Sequence, residues 1–267
     1  MGLFDKFRKK AQQPGTEQPA DTGSPQLIDL LSAYLGPSRQ RQLAFGEQVV
    51  RERDWNVDFS EGAIYFGDDK YPAQLLGTQS DISDTWLWGF ENPSDALKAA
   101  AANSRRVYDL CKVAPELASR KLDVTELVNG HNIASIAAAS SPDRTCYYRC
   151  PYDGGAAFVT VGNIPESVFA PTDPTQTLSI IMDLISQFPL SHRILVKSLL
   201  AANCGQVEDN PESIIGHYPD GQSLIASFDA QGRLTSIQTD SSDESRQLAA
   251  GAGVTYDNGE DFLADLP

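Results

Sequence analysis

Apolar residues recur at helical spacing in Leu27, Leu30, Leu31, Tyr34 and Leu35, directly after Ser24-Pro25. The serine is a natural N-cap, and the fixed φ of proline suits the first helical position. Gly36-Pro37 predicts the end of that helix, and a polar second helix is expected from about Ser38 to Arg53, with Leu43, Val49 and Val50 buried. The period then changes to two. Trp55, Val57 and Phe59 alternate with polar residues, and turn signals at Ser60-Glu61-Gly62, Asp68-Asp69-Lys70 and Ser80 to Asp84 separate the apolar runs. The pattern predicts a four-stranded antiparallel meander over roughly 55–59, 63–67, 71–79 and 84–90. On its last strand Trp86, Trp88 and Phe90 share one face.

Asn92-Pro93-Ser94-Asp95 reads as a helix start with Asn92 as the cap, and the helix is expected to run through the alanines to about Val113. It presents Leu97, Ala100, Ala101, Val107, Tyr108 and Cys111 to the sheet, with the aromatic face as the natural receiver, which makes that face part of the core. A second alanine-rich helix is expected from Thr125 to Ala139, then a hairpin, Thr145 to Pro151 and Ala156 to Val161, across Tyr152-Asp153-Gly154-Gly155. Beyond the prolines of 165–174, two amphipathic helices carry Leu178, Ile181, Met182, Ile185 and then Ile194, Leu195, Leu199, Leu200. Three short strands follow, at roughly 214–218, 223–229 and 234–239. The fold class is α+β: an antiparallel β-meander sheet packed by helices over 24–165, with a smaller C-terminal α+β unit over 166–240. Residues 1–23 form a basic and polar lead and 241–267 an acidic tail, both with the composition of flexible segments.

Charge narrows the function classes. A formal net charge of -15 argues against nucleic acid, whose phosphates are bound through Lys and Arg. Such a charge serves solubility, and its sharper reading is an acidic surface that meets a protein partner with a basic surface and speeds the encounter. No apolar run is long enough to span a membrane, and Leu3, Phe4 and Phe7 among the lysines of the lead offer at most a membrane-surface contact. Four scattered cysteines and the want of a signal peptide place the chain in the cytoplasm with reduced thiols.

No catalytic motif, phosphate loop or dinucleotide fingerprint is present, and no cofactor is implied. Cys146 and Cys150, four apart in a strand, sit about 13 Å from each other and do not make a metal site with His131. Two readings lead, with a purely structural or regulatory module as a third. The first is a non-enzymatic binding protein of immunity or adaptor type that engages its partner through an acidic surface. The second is an enzyme or sensor with an aromatic pocket of Trp86, Trp88 and Tyr148, equipped with Asp84, Asn92 or His131. The candidate binding residues are therefore Asp81, Asp84, Trp86, Trp88, Asn92, His131 and Tyr148, with the polar end of the hairpin, Ser80 to Asp84, favoured over the tryptophans.

Leu76-Gly77-Thr78 and Thr85-Trp86-Leu87-Trp88-Gly89-Phe90-Glu91-Asn92 resemble the signature of a functionally uncharacterised bacterial family over about residues 26–163. Trp55-Asn56-Val57-Asp58, Gly62 to Phe66 and the Cys146 to Arg149 strand fit the same pattern, while Phe90 stands where a third tryptophan is usual. The resemblance implies the fold and a bacterial source; no activity comes with it.

Overall fold

A computed structural model describes residues 23–240. The basic lead with Leu3, Phe4 and Phe7 and the acidic tail lie outside the described residues. The first helix, α1, spans Pro25–Phe45 and ends in a π-turn over Gly46–Val50. Ser24 caps it as expected: its Oγ accepts the Leu27 N–H at 3.2 Å, while its own N–H and hydroxyl donate to Glu116. Gly36-Pro37 does not stop the helix, and no separate second helix forms. Pro37 removes one N–H, but packing outweighs that local cost because Gly36 faces α6 (His192–Asn203), where a Cβ would lie 2.7 Å from Leu199 Cγ.

The meander follows as β1 (Trp55–Asp58), β2 (Ala63–Phe66), β3 (Asp69–Ser80) and β4 (Thr85–Trp88), antiparallel throughout. Two short helices, α2 (Asp95–Ala99) and α3 (Ala102–Cys111), replace the single expected helix, with the break at Ala100-Ala101. The break has a use: the Ala100 carbonyl accepts the Leu75 N–H at 2.8 Å, and the Ser104 hydroxyl donates to the Leu76 carbonyl at 2.6 Å. These bonds serve β3 around the bulge where its pairing slips between Leu75 and Gly77. A three-residue strand unseen in the sequence, β5 (Lys121–Asp123), pairs with β4. The next helix, α4, occupies only Gly130–Ala139, capped by Asn129, so the expected first turn from Thr125 is a loop.

The hairpin β6 (Cys146–Tyr152) and β7 (Gly155–Val161) completes a seven-stranded sheet by placing β7 against β3. Every position of β7 is buried. Its side chains alternate between two apolar clusters: Ala156 and Phe158 join Trp86 and Trp88, whereas Ala157, Val159 and Val161 join Phe45, Ile64 and Phe66. The first cluster continues through α1 and α4 to α5 (Pro174–Gln187), α6 and a second, four-stranded antiparallel sheet. That sheet comprises β8 (Gln206–Asn210), β9 (Ser213–His217), β10 (Ser223–Phe228) and β11 (Leu234–Asp240), one strand more than expected. A reciprocal amide pair, Gln40 with Asn203 at 2.8 Å each way, is buried where α1 meets α6. The α+β class stands, with both sheets on one continuous core. No described helix is long and apolar enough to cross a membrane.

Candidate functional site

Two hairpin turns meet at one end of the larger sheet. The β3–β4 turn holds Asp81, Ile82, Ser83 and Asp84, and the β6–β7 turn holds Asp153 and Gly154. Local chemistry sets the first: the Ser80 Oγ accepts the N–H groups of Ile82 and Ser83, and Asp84 takes a left-handed conformation that aspartate tolerates. The Asp81 N–H then donates to the Gly154 carbonyl at 3.0 Å, which ties the turns together. Val124 donates to the Asp84 carbonyl at 2.8 Å, so the chain after β5 joins the same end.

The result is an acidic tip with apolar anchors. Asp81, Asp84, Asp123 and Asp153 are all exposed there. Arg149 approaches Asp81 at 3.8 Å, an ion pair loose enough to contribute little. Among these carboxylates stand Ile82, 86% exposed, and Tyr152, 52% exposed. Ile82 lies over Gly154, where a Cβ would stand 2.8 Å from its Cδ1, and most of its side chain still faces solvent, so that with Tyr152 it leaves apolar surface exposed at this end of the sheet.

The other candidate residues are not gathered with Asp81 and Asp84. Trp86 and Trp88 are wholly buried, in edge-to-face contact at 5.8 Å, under Val107, Tyr108 and Cys111 of α3. Tyr148 belongs to the opposite cluster, against Trp55 at 5.5 Å and Phe66 at 5.0 Å, so no wall of Trp86, Trp88 and Tyr148 exists. Phe90 leaves the β4 strand for a 3-10 turn over Gly89–Glu91 and stacks beside Trp88 at 6.3 Å. Asn92 is buried and does not cap the helix as expected: Ser94 occupies the cap position, and the Asn92 Oδ1 accepts the Ser94 N–H at 3.0 Å.

His131 lies in the first turn of α4, its Nδ1 3.2 Å from the Tyr147 hydroxyl and its ring edge-on to Phe158. Burial, with a smaller contribution from Arg149, pulls its pKa down to about 4, so the ring is neutral near pH 7. The folded state therefore takes up this proton less readily than the unfolded chain, whose histidine titrates near 6.5. The stability held by neutral His131 is complete above that value and is lost as pH falls toward 4. Between pH 7 and 4.5 the loss should reach roughly 1–2 kcal/mol, allowing for partial exposure of the ring. Urea unfolding of the wild type and His131→Gln at both pH values checks this; an unchanged pH dependence in the variant would refute it.

Burial also raises the thiol pKa values of Cys146 and Cys150 to about 12, which keeps them protonated and unreactive. One arrangement that sequence reasoning missed has the connectivity of a hydrolytic triad. His217 Nδ1 lies 2.9 Å from the Ser223 Oγ and Nε2 3.0 Å from Glu208. The register aligns His217 with Ser223 across β9 and β10 and with Gln206 across β8 and β9. Ser223 is 1% exposed, so its hydroxyl is closed to a substrate and the three groups act as a cross-strand polar link.

A family profile matches residues 28–164, just over half of the chain. The chain belongs to DUF6882, a family of unknown function. The DUF6882 region runs from α1 to just past β7, so it contains both turns of the acidic tip, while the second sheet falls beyond it. No curated protein and no solved structure matches the chain.

Proposed function

We propose that this DUF6882 protein is a non-enzymatic binding protein, of immunity or adaptor type in the bacterial cytoplasm, that engages a basic protein partner through the acidic tip. One observation carries the reading: two tied turns hold Ile82 and Tyr152 outward among Asp81, Asp84, Asp123 and Asp153. Exposed apolar side chains ringed by charge have the composition of an interface, in which a few anchors supply affinity and the surrounding charges speed and orient the encounter. The net charge of -15 acts in the same direction over longer range. The four thiols, all free, suit a reducing compartment.

Affinity capture from the native host, at low and high salt, tests the proposal. The wild type should retain a basic partner in stoichiometric amount at low salt and less at high salt. Ile82→Arg and the double variant Asp84→Asn/Asp153→Asn, which removes two charges and keeps a residue that accepts the left-handed conformation at 84, should lose it. Because these positions are exposed, each substitution should change stability by no more than about 0.5 kcal/mol, so loss of capture is not loss of fold. A partner held equally well by both variants would move the interface elsewhere.

A further inference from the structure

On a different side of the sheet, β3, β7, the start of α3 and the loop between α4 and β6 enclose a half-open cleft of about 390 Å³. Its walls mix apolar surface, from Pro72, Ala102 and Pro142, with amides and hydroxyls such as Asn103 and Thr160, and they hold Arg106 as the cation and Asp143 as the carboxylate. Arg106 is fixed on two sides: Nε donates to the Asn103 Oδ1 at 2.8 Å and Nη1 to the Ser140 carbonyl at 3.1 Å. Its remaining nitrogen, Nη2, is buried and meets no protein acceptor. The hydroxyl of Thr145, a lining residue only 7% exposed, is likewise buried without a protein partner. Buried polar groups in folded proteins are nearly always bonded, so two exceptions lining one cleft call for a common cause.

We infer that this cleft binds a small carboxylate-bearing solute of amino-acid size, with the carboxylate on Arg106 and Thr145 and its ammonium or hydroxyl group toward Asp143. The volume admits such a molecule with room to spare, so recognition rests on the polar groups and not on a fitted shape. With Nε and Nη1 already donating, Nη2 is the guanidinium nitrogen left without a protein partner, and a charge-assisted bond from it to a carboxylate oxygen is of the stronger kind. Phosphate fits less well, because Asp143 opposes a dianion and the Asn103 N–H at the helix start is already given to the Gln74 Oε1 at 3.0 Å. Neither orphaned atom is open to bulk water, so engagement includes a rotamer change of the Arg106 side chain that exchanges its bond to Asn103 or Ser140 for one to the ligand.

The test uses the full chain and a panel of glycine, glutamate, lactate, acetate, inorganic phosphate and sulfate, followed by amide chemical shifts and calorimetry. At least one amino or hydroxy acid should bind saturably, with Kd of about 1 mM or tighter, and shift amides within 102–106 and 141–145. Arg106→Lys, which keeps the charge and loses the planar fork, should weaken it about tenfold or more, and Thr145→Val should weaken it less. Asp143→Asn should weaken glycine while sparing acetate. Ile82→Arg should leave binding unchanged, which separates this site from the acidic tip. No saturable binding by any carboxylate, shifts confined to other segments, or tighter binding of phosphate or sulfate would overturn the assignment.

Discussion

Replacing Trp86 with alanine is expected to cost about 3–5 kcal/mol of stability, the range for large aromatics removed from a core. The ring is 0% exposed, lies 5.8 Å from Trp88 and 5.6 Å from Phe158 in edge-to-face contacts, and packs where β3 has Gly77. A Cβ on Gly77 would stand 2.3 Å from the indole, so the glycine and the tryptophan form one fitted pair. With Trp86 truncated, the strand backbone and the Phe158 ring cannot both collapse into the space, and most of the cavity term persists. Trp86→Phe should cost much less. The indole Nε1 is buried and meets no protein acceptor, so removing it relieves an unpaired donor while some contact area is kept. Urea unfolding of both variants at neutral pH decides the matter: a near-native midpoint for Trp86→Ala would mean the ring does not carry the junction of sheet and α3. The same core location gives both tryptophans a packing role, with neither ring exposed at the surface.

What the sequence made legible follows the range of the interactions involved. The meander, the β6–β7 hairpin and the packing of Val107, Tyr108 and Cys111 on Trp86 and Trp88 depend on period and on nearby turn chemistry, and they were readable. The strands β5 and β8 were not, because Lys121-Leu122-Asp123 and Gln206 to Asn210 are short and polar and take their conformation from neighbours. The continuation of α1 through Gly36-Pro37 and the division at Ala100-Ala101 were lost for a related reason. Each is decided by a distant group, Leu199 of α6 in one case and Leu75 of β3 in the other.

The functional surface divides in the same way. Asp81 and Asp84 were visible as turn residues, yet Ile82 gains its setting only from the distant β6–β7 turn, whose Gly154 lies beneath it. Arg106 lay unnoticed as an ordinary helix-face cation, because its cleft is assembled from four separated segments. Both sites rest on long-range pairing of β3, the strand that takes β2, β4 and β7 as partners.

Gly36→Leu should destabilise the whole molecule by about 3 kcal/mol or more, and should do so in a single transition. Overpacking a filled contact typically costs 1–3 kcal/mol, and here little relief is available. The added Cβ alone would lie 2.7 and 2.8 Å from the Leu199 side chain and 3.0 Å from Leu195 Cδ1, all on α6, and Leu195 and Leu199 are themselves 0% exposed. To accept the side chain, α1 and α6 must separate. Separation would also pull apart the Gln40–Asn203 amide pair and the bond from the Ser191 N–H to the Ser32 hydroxyl at 2.8 Å, leaving buried polar groups unpaired. Because α1 packs on α4 of the larger sheet's layer and on α6 of the smaller sheet's, neither side keeps its core once that helix shifts. Denaturant unfolding monitored both by tryptophan fluorescence, which reports the Trp86 and Trp88 core, and by far-ultraviolet circular dichroism should therefore show coincident curves displaced to lower midpoints. If fluorescence kept its wild-type midpoint while part of the dichroism signal melted early, the second sheet would be unfolding alone, and α1 would not be the element that couples the two sheets.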